Sequence, residues 1–128
     1  MRRRRDVRDW VVKAEEDWLA LNTLLRKRPP RLNTVVCFHA QQSAEKYLKA
    51  VLTSHRIAFP KTHDLLGLLT LAKRAETTLE VLRPFLEYLQ PYAVDFRYPG
   101  EVASRAEALR SSRFAAQIRE HVRRILGL

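Results

Sequence analysis

The chain has 128 residues, 46% apolar and 30% charged, which suits one domain with one core and excludes a disordered segment. Its formal charge is +10, and 18 of its 24 basic residues are arginine, a balance that favours polyanionic partners such as RNA or nucleotides. Cys37 is the single cysteine, so no internal disulfide forms, and no apolar run is long enough to cross a bilayer.

Residues 2–5 are all arginine and mimic the start of a signal peptide. Asp6, Arg8, Asp9 and Lys13 occupy the place of its apolar stretch and exclude one. A cytoplasmic protein is expected. The arginine run reads as a frayed, solvated terminus of a single domain spanning 1–128, with an RNA-contacting arm as the alternative.

A first helix is expected over residues 6–26, because Val7, Trp10, Val11, Ala14, Trp18, Leu21 and Leu25 recur at three- and four-residue spacing. Pro29 and Pro30 end it. Trp10 and Trp18 lie on this stripe and read as core or dimer interface. A second helix is expected over 33–54, with Asn33 or Thr34 as its cap. A loop containing Pro60 follows, and Thr62 is placed to cap a third helix over 63–75, with Asp64 suiting the positive end of its dipole. A fourth helical segment over 79–90 carries Leu82, Phe85, Leu86 and Leu89; Pro84 is tolerated only in a first turn, so the helix proper is expected from Arg83. Residues 95–100 read as irregular. The last helix is expected over 101–126, with Phe114, Ile118, Val122 and Ile125 as its stripe. Long helices and short loops imply an all-α antiparallel bundle with up-down topology, four main helices plus a short extra one.

The second helix divides into two faces. At about 100° per residue, Val36, Ala40, Ala44, Tyr47, Leu48 and Val51 share one arc. Gln42, Glu45, Lys46 and Lys49 share the opposite arc, with His39 beside them. That polar set either binds an anion or faces water. Cys37 belongs to the buried side and reads as an inert core thiol.

The run from Phe38 to Ala50 resembles the second-helix signature of the HEPN family, a helical domain associated with nucleotides and RNA. Thr62-His63-Asp64-Leu65 resembles the opening of that family's third helix. Arg97-Tyr98-Pro99 resembles the segment before its last helix, and Ala14, Asp17 and Ala20 fit its first. The resemblance covers nearly the whole chain. It implies a helical bundle that often forms a homodimer, pairing in many relatives with a small nucleotidyltransferase in toxin–antitoxin systems. Several branches are metal-independent ribonucleases with an Arg followed, after four to six residues, by a His near the last helix. This chain departs there, because the next histidine after Arg97 is His121. Arg56 and His63 have that spacing but lie between the second and third helices, where it reads as coincidence.

RNA cleavage without a metal requires a base and a cation for the phosphate. His63 is the candidate base, Arg97 and Lys46 are the candidate phosphate ligands, and Gln42 is placed to orient a substrate oxygen. Binding alone requires less: Lys46, Lys49 and Arg97 for phosphate, and Tyr98 for stacking. Each residue also has a structural role open to it. Glu45 and Arg97 would pair as a buttress, His63 would make a local hydrogen bond, Asp64 would stabilise its helix terminus, and Lys49 would be solvated. His39, His55 and His121 lack partners at metal-ligand spacing, so no metal site and no cofactor are expected. Two functions follow: a nucleotide- or RNA-binding domain, or a non-catalytic homodimeric module that docks a nucleotidyltransferase. A DNA-binding repressor fits the charge but lacks a helix-turn-helix pattern.

Overall fold

A computed structural model of the chain describes residues 2–27, 30–94 and 100–128. Among the described residues there are five α-helices: α1 (Arg2–Lys27), α2 (Asn33–Ser54), α3 (Leu65–Ala72), α4 (Arg83–Leu89) and α5 (Arg105–Leu126). No strand occurs among the described residues. Short 3₁₀ turns precede α2 at Pro30–Leu32 and flank α4 at Thr77–Leu82 and Gln90–Ala93.

Helix α2 matches the expected bounds, although its N-cap residue is Leu32, which makes no side-chain cap. The Thr34 hydroxyl instead accepts from the Ala103 amide at 2.8 Å, tying the start of α2 to the segment before α5. Helix α1 begins at Arg2, ahead of the expected Asp6. Helix α3 is shorter than expected, and its cap is Asp64 rather than Thr62. The Asp64 carboxylate accepts from the Gly67 amide at 3.1 Å, while the Thr62 hydroxyl accepts from the Asp64 amide at 3.0 Å. Helix α4 begins at Arg83 with Pro84 in its first turn, the position that asks nothing of proline's missing N–H. Helix α5 begins four residues later than expected, behind a reciprocal capping box: Ser104 accepts from the Glu107 amide, and Glu107 accepts from the Ser104 amide.

Helix α2 is the central element, packed on α1, α3 and α5. Tyr47, Leu48, Val51 and Leu52 on it are fully buried, and burial of each large apolar side chain contributes about 1.5–3 kcal/mol. Leu21 of α1, Leu65, Leu68 and Leu69 of α3, Leu86 and Leu89 of α4, and Ile118 and Val122 of α5 complete one continuous core. Contacts set the directions. Trp10 meets Lys49 while Asp17 meets Lys46 and His39, so α1 and α2 run antiparallel. Phe85 and Tyr88 both stack on Phe114, while Thr78 meets His121, so α4 and α5 also run antiparallel. The chain after α2 doubles back, placing His63 beside Glu45 at the start of α3 and Glu76 beside His55 after its end. This return brings the opening of α3 to the middle of α2, where the polar residues lie.

Candidate functional site

The structure groups Gln42, Glu45, Lys49, His63 and Asp64, and turns Lys46 away from them. Glu45 is 3% exposed and divides its two carboxylate oxygens between two partners. Oε1 lies 2.8 Å from His63 Nδ1, and Oε2 accepts from Lys49 Nζ at 2.8 Å. The Gln42 amide donates to Gln41 Oε1 at 2.6 Å, and the Gln41 amide donates to the His63 carbonyl at 3.0 Å. The imidazole ring of His63 is therefore held from below by a carboxylate and its backbone by an amide relay. The Asp64 carboxylate caps α3 and accepts from Gln90 Nε2 at 2.9 Å, while Gln90 Oε1 accepts from the Leu65 amide at 2.7 Å. The helix-terminus role of Asp64 is thus observed.

Lys49 is not solvated, as its arc on α2 had suggested. It is 7% exposed, and its ammonium group sits 5.4 Å from the Trp10 ring centroid and 5.9 Å from that of Phe59. Trp10 and Phe59 themselves meet edge to face. A carboxylate and two ring faces compensate the ammonium for lost water. Nor does the polar arc as a whole face water: Gln42 and Glu45 are also buried, because α1 and the returning loop cover that side. The expected Glu45–Arg97 pairing, and the roles given to Arg97 and Tyr98, lie outside the described residues.

His63 is the group that reaches water, with 66% of its side chain exposed. The carboxylate at Nδ1 favours the tautomer that carries its proton there, which turns the Nε2 lone pair outward. Neutral, that nitrogen is an acceptor or a base; protonated, it is a donor to an anion.

Two further polar networks escaped the sequence reading. Asp17, 7% exposed, accepts from Lys46 Nζ at 2.5 Å and lies 2.8 Å from His39 Nδ1. Its spacing held a signal: it falls three residues after Ala14 and four before Leu21, on the buried stripe of α1. Glu15 joins α1 to α2 and α5. It accepts from the Tyr47 hydroxyl at 2.5 Å and from Arg119 at 2.7 and 2.8 Å, and Arg123 lies 3.7 Å away. The Arg119 bond leads in holding the Glu15 carboxyl below its usual range. Burial, then the Glu15 bond, push the Tyr47 hydroxyl up to about 12. Arg119 also stands over the Trp18 ring, 5.1 Å from its centroid. No sequence spacing predicts this network, because its members are far apart in the chain.

No group of three or more His, Cys, Asp or Glu side chains is placed to hold a metal ion among the described residues. No helix among them is long and apolar enough to cross a membrane. A family model described as HEPN domain matches residues 7–125. No curated protein and no solved structure matches the chain.

Proposed function

The chain belongs to the HEPN domain family, and from that membership we propose that it binds a nucleotide or RNA at the surface presented by His63. The observation that carries this reading is the exposed imidazole, fixed through Nδ1 by buried Glu45, on a protein of formal charge +10. A backed imidazole is held in one orientation, so a phosphate oxygen or a 2′-hydroxyl would meet a positioned Nε2 rather than a mobile side chain. Lys46 is engaged with Asp17 and turned away from this surface, so Arg97 and Tyr98 are the further ligands proposed for it. Binding does not entail hydrolysis. Cleavage would need His63 as base and Arg97 as phosphate ligand, without the Arg-to-His spacing of the nuclease branches.

Titration of the protein with ATP and with a short RNA at two salt concentrations tests this. The expected result is salt-weakened binding that drops by about fivefold in His63→Ala, the loss of one charge-assisted contact. No binding of either ligand at low salt refutes it. An RNase assay of the wild type beside His63→Ala and Arg97→Ala separates binding from chemistry.

A second reading is a homodimeric module that docks a small nucleotidyltransferase, as in toxin–antitoxin pairs. The internal pairing of Gln42, Glu45 and Lys49 favours it, because groups engaged with each other are poor ligands for a substrate. Co-expression with a nucleotidyltransferase followed by sizing tests it, and separate elution at micromolar concentration counts against it.

A further inference from the structure

We propose that the groove between the start of α1 and the end of α5 docks an acidic helical segment of a partner protein, one carrying a stripe of aliphatic side chains. The groove lies beyond the far end of α2, away from Glu45 and His63, and the proposal does not rest on nucleotide or RNA binding. Its volume is about 540 Å³. Val7 and Val11, one helical turn apart on α1, face Ile125, Leu126 and Leu128 across it. These side chains are only partly covered, and Leu128 is 61% exposed. Arg3, Arg4 and Arg8 stand on the α1 side, all exposed. The acid in the lining, Glu76, already has a partner in His55 Nε2 at 3.1 Å.

Charge selects the occupant. No acidic residue stands in the first turn of α1, so its arginines oppose the helix dipole, and an arriving carboxylate relieves both that opposition and their mutual repulsion. A second copy of this chain would bring the same guanidinium groups on a protein of charge +10, which disfavours a two-fold pairing through this face. RNA satisfies the guanidinium groups but offers nothing aliphatic to the valine, isoleucine and leucine floor. The groove is open along its side, so an acyl chain laid in it would keep one flank in water. A helix covers such a floor with residues at three- and four-residue spacing and leaves its polar side hydrated.

The test uses the full chain and a labelled synthetic helix of about 16 residues, glutamate-rich with leucine at three- and four-residue spacing, read by fluorescence anisotropy. The proposal expects saturable binding that weakens by at least about tenfold when Arg3→Glu, Arg4→Glu and Arg8→Glu are combined. It expects a like loss, by at least about tenfold, when serine replaces every leucine of the peptide, a change that leaves the protein's folding untouched. Charge reversal at Arg110 and Arg113, on α5 outside the groove, should leave binding within about twofold. Equal affinity for the leucine and serine peptides overturns the proposal, as does a triple reversal that folds by circular dichroism and binds as the wild type does. It is also overturned if the peptide fails to bind while phosphatidylglycerol vesicles or a short RNA do, or if the triple reversal dissociates a dimer in sedimentation velocity.

Discussion

Tyr47→Phe removes one oxygen from the middle of the bundle, and the structure sets what that costs. The hydroxyl is fully buried and donates to Glu15, which keeps its two bonds to Arg119 when the hydroxyl is gone. No buried carboxylate is stranded, so the loss is one hydrogen bond to a charged group, about 1.5 kcal/mol. Glu15→Ala is more severe. It leaves the Tyr47 hydroxyl inside the core beside the Arg119 and Arg123 guanidinium groups, which are donors, so the phenolic proton has no acceptor, a penalty of about 1–3 kcal/mol. Arg119 and Arg123 keep about 30% of their side chains exposed, and their lost pairing adds at most about 1 kcal/mol in total. Glu15→Ala should therefore cost about 3 kcal/mol, and in the double variant the stranded-hydroxyl penalty, about 2 kcal/mol of it, disappears, leaving a coupling of at least about 2 kcal/mol. Urea denaturation at pH 7, followed by circular dichroism with equal m-values required, measures all four corners of the cycle. A coupling below about 0.3 kcal/mol would refute the claim that this bond joins α1 to α2. Alkaline pH supplies an independent check. The folded Tyr47 pKa, about 12, is raised from 10.0, so this stabilisation is present below pH 10.0 and is lost as pH rises through about 12. The difference between wild type and Tyr47→Phe should shrink across that window.

Glu45→Ala should cost about 3–5 kcal/mol, because it strands the Lys49 ammonium between Trp10 and Phe59; Lys49→Met leaves Glu45 with His63 as partner and should cost clearly less in thermal denaturation, and equal losses would contradict the geometry. His121 has its pKa lowered from 6.5, first by burial and then by Arg124. Its neutral form therefore stabilises the fold above pH 6.5, and that contribution is lost as pH falls through the folded value. His121→Asn should flatten the wild-type stability slope just below pH 6.5, and an unchanged slope would argue against a neutral, desolvated ring.

Much of the fold was legible because apolar spacing reports a buried stripe directly. The bounds of α2 and the start of α4 at Arg83 follow from periodicity and from proline's missing donor. The Ser104-x-x-Glu107 box is a capping signal visible in the sequence, and it sets the start of α5 four residues after the expected Glu101. The polar arc of α2 misled for a physical reason. A two-faced helical pattern reports a solvated side only when the helix lies on the surface, and α2 is surrounded by α1, α3 and α5. Its polar residues meet one another, His63 and Asp17, and Gln42, Glu45 and Lys49 among them are buried. The Glu15–Tyr47–Arg119 network was illegible, since its members are adjacent only after three helices have packed.

The burial of that arc decides where function can be tested. Substitution of Gln42, Glu45 or Lys49 disturbs ion pairs and amide bonds that hold the returning loop against α2, so loss of binding in those variants would not distinguish a ligand contact from a loosened loop. His63 is different. Its ring is mostly in water, and its backbone carbonyl, which accepts from Gln41, survives any side-chain change. Removing the imidazole frees one oxygen of Glu45 while Lys49 continues to neutralise it, so the stability loss should be modest, about 1 kcal/mol. A binding defect at His63 without a matching fall in stability therefore locates the ligand, whereas the same defect at Glu45 does not.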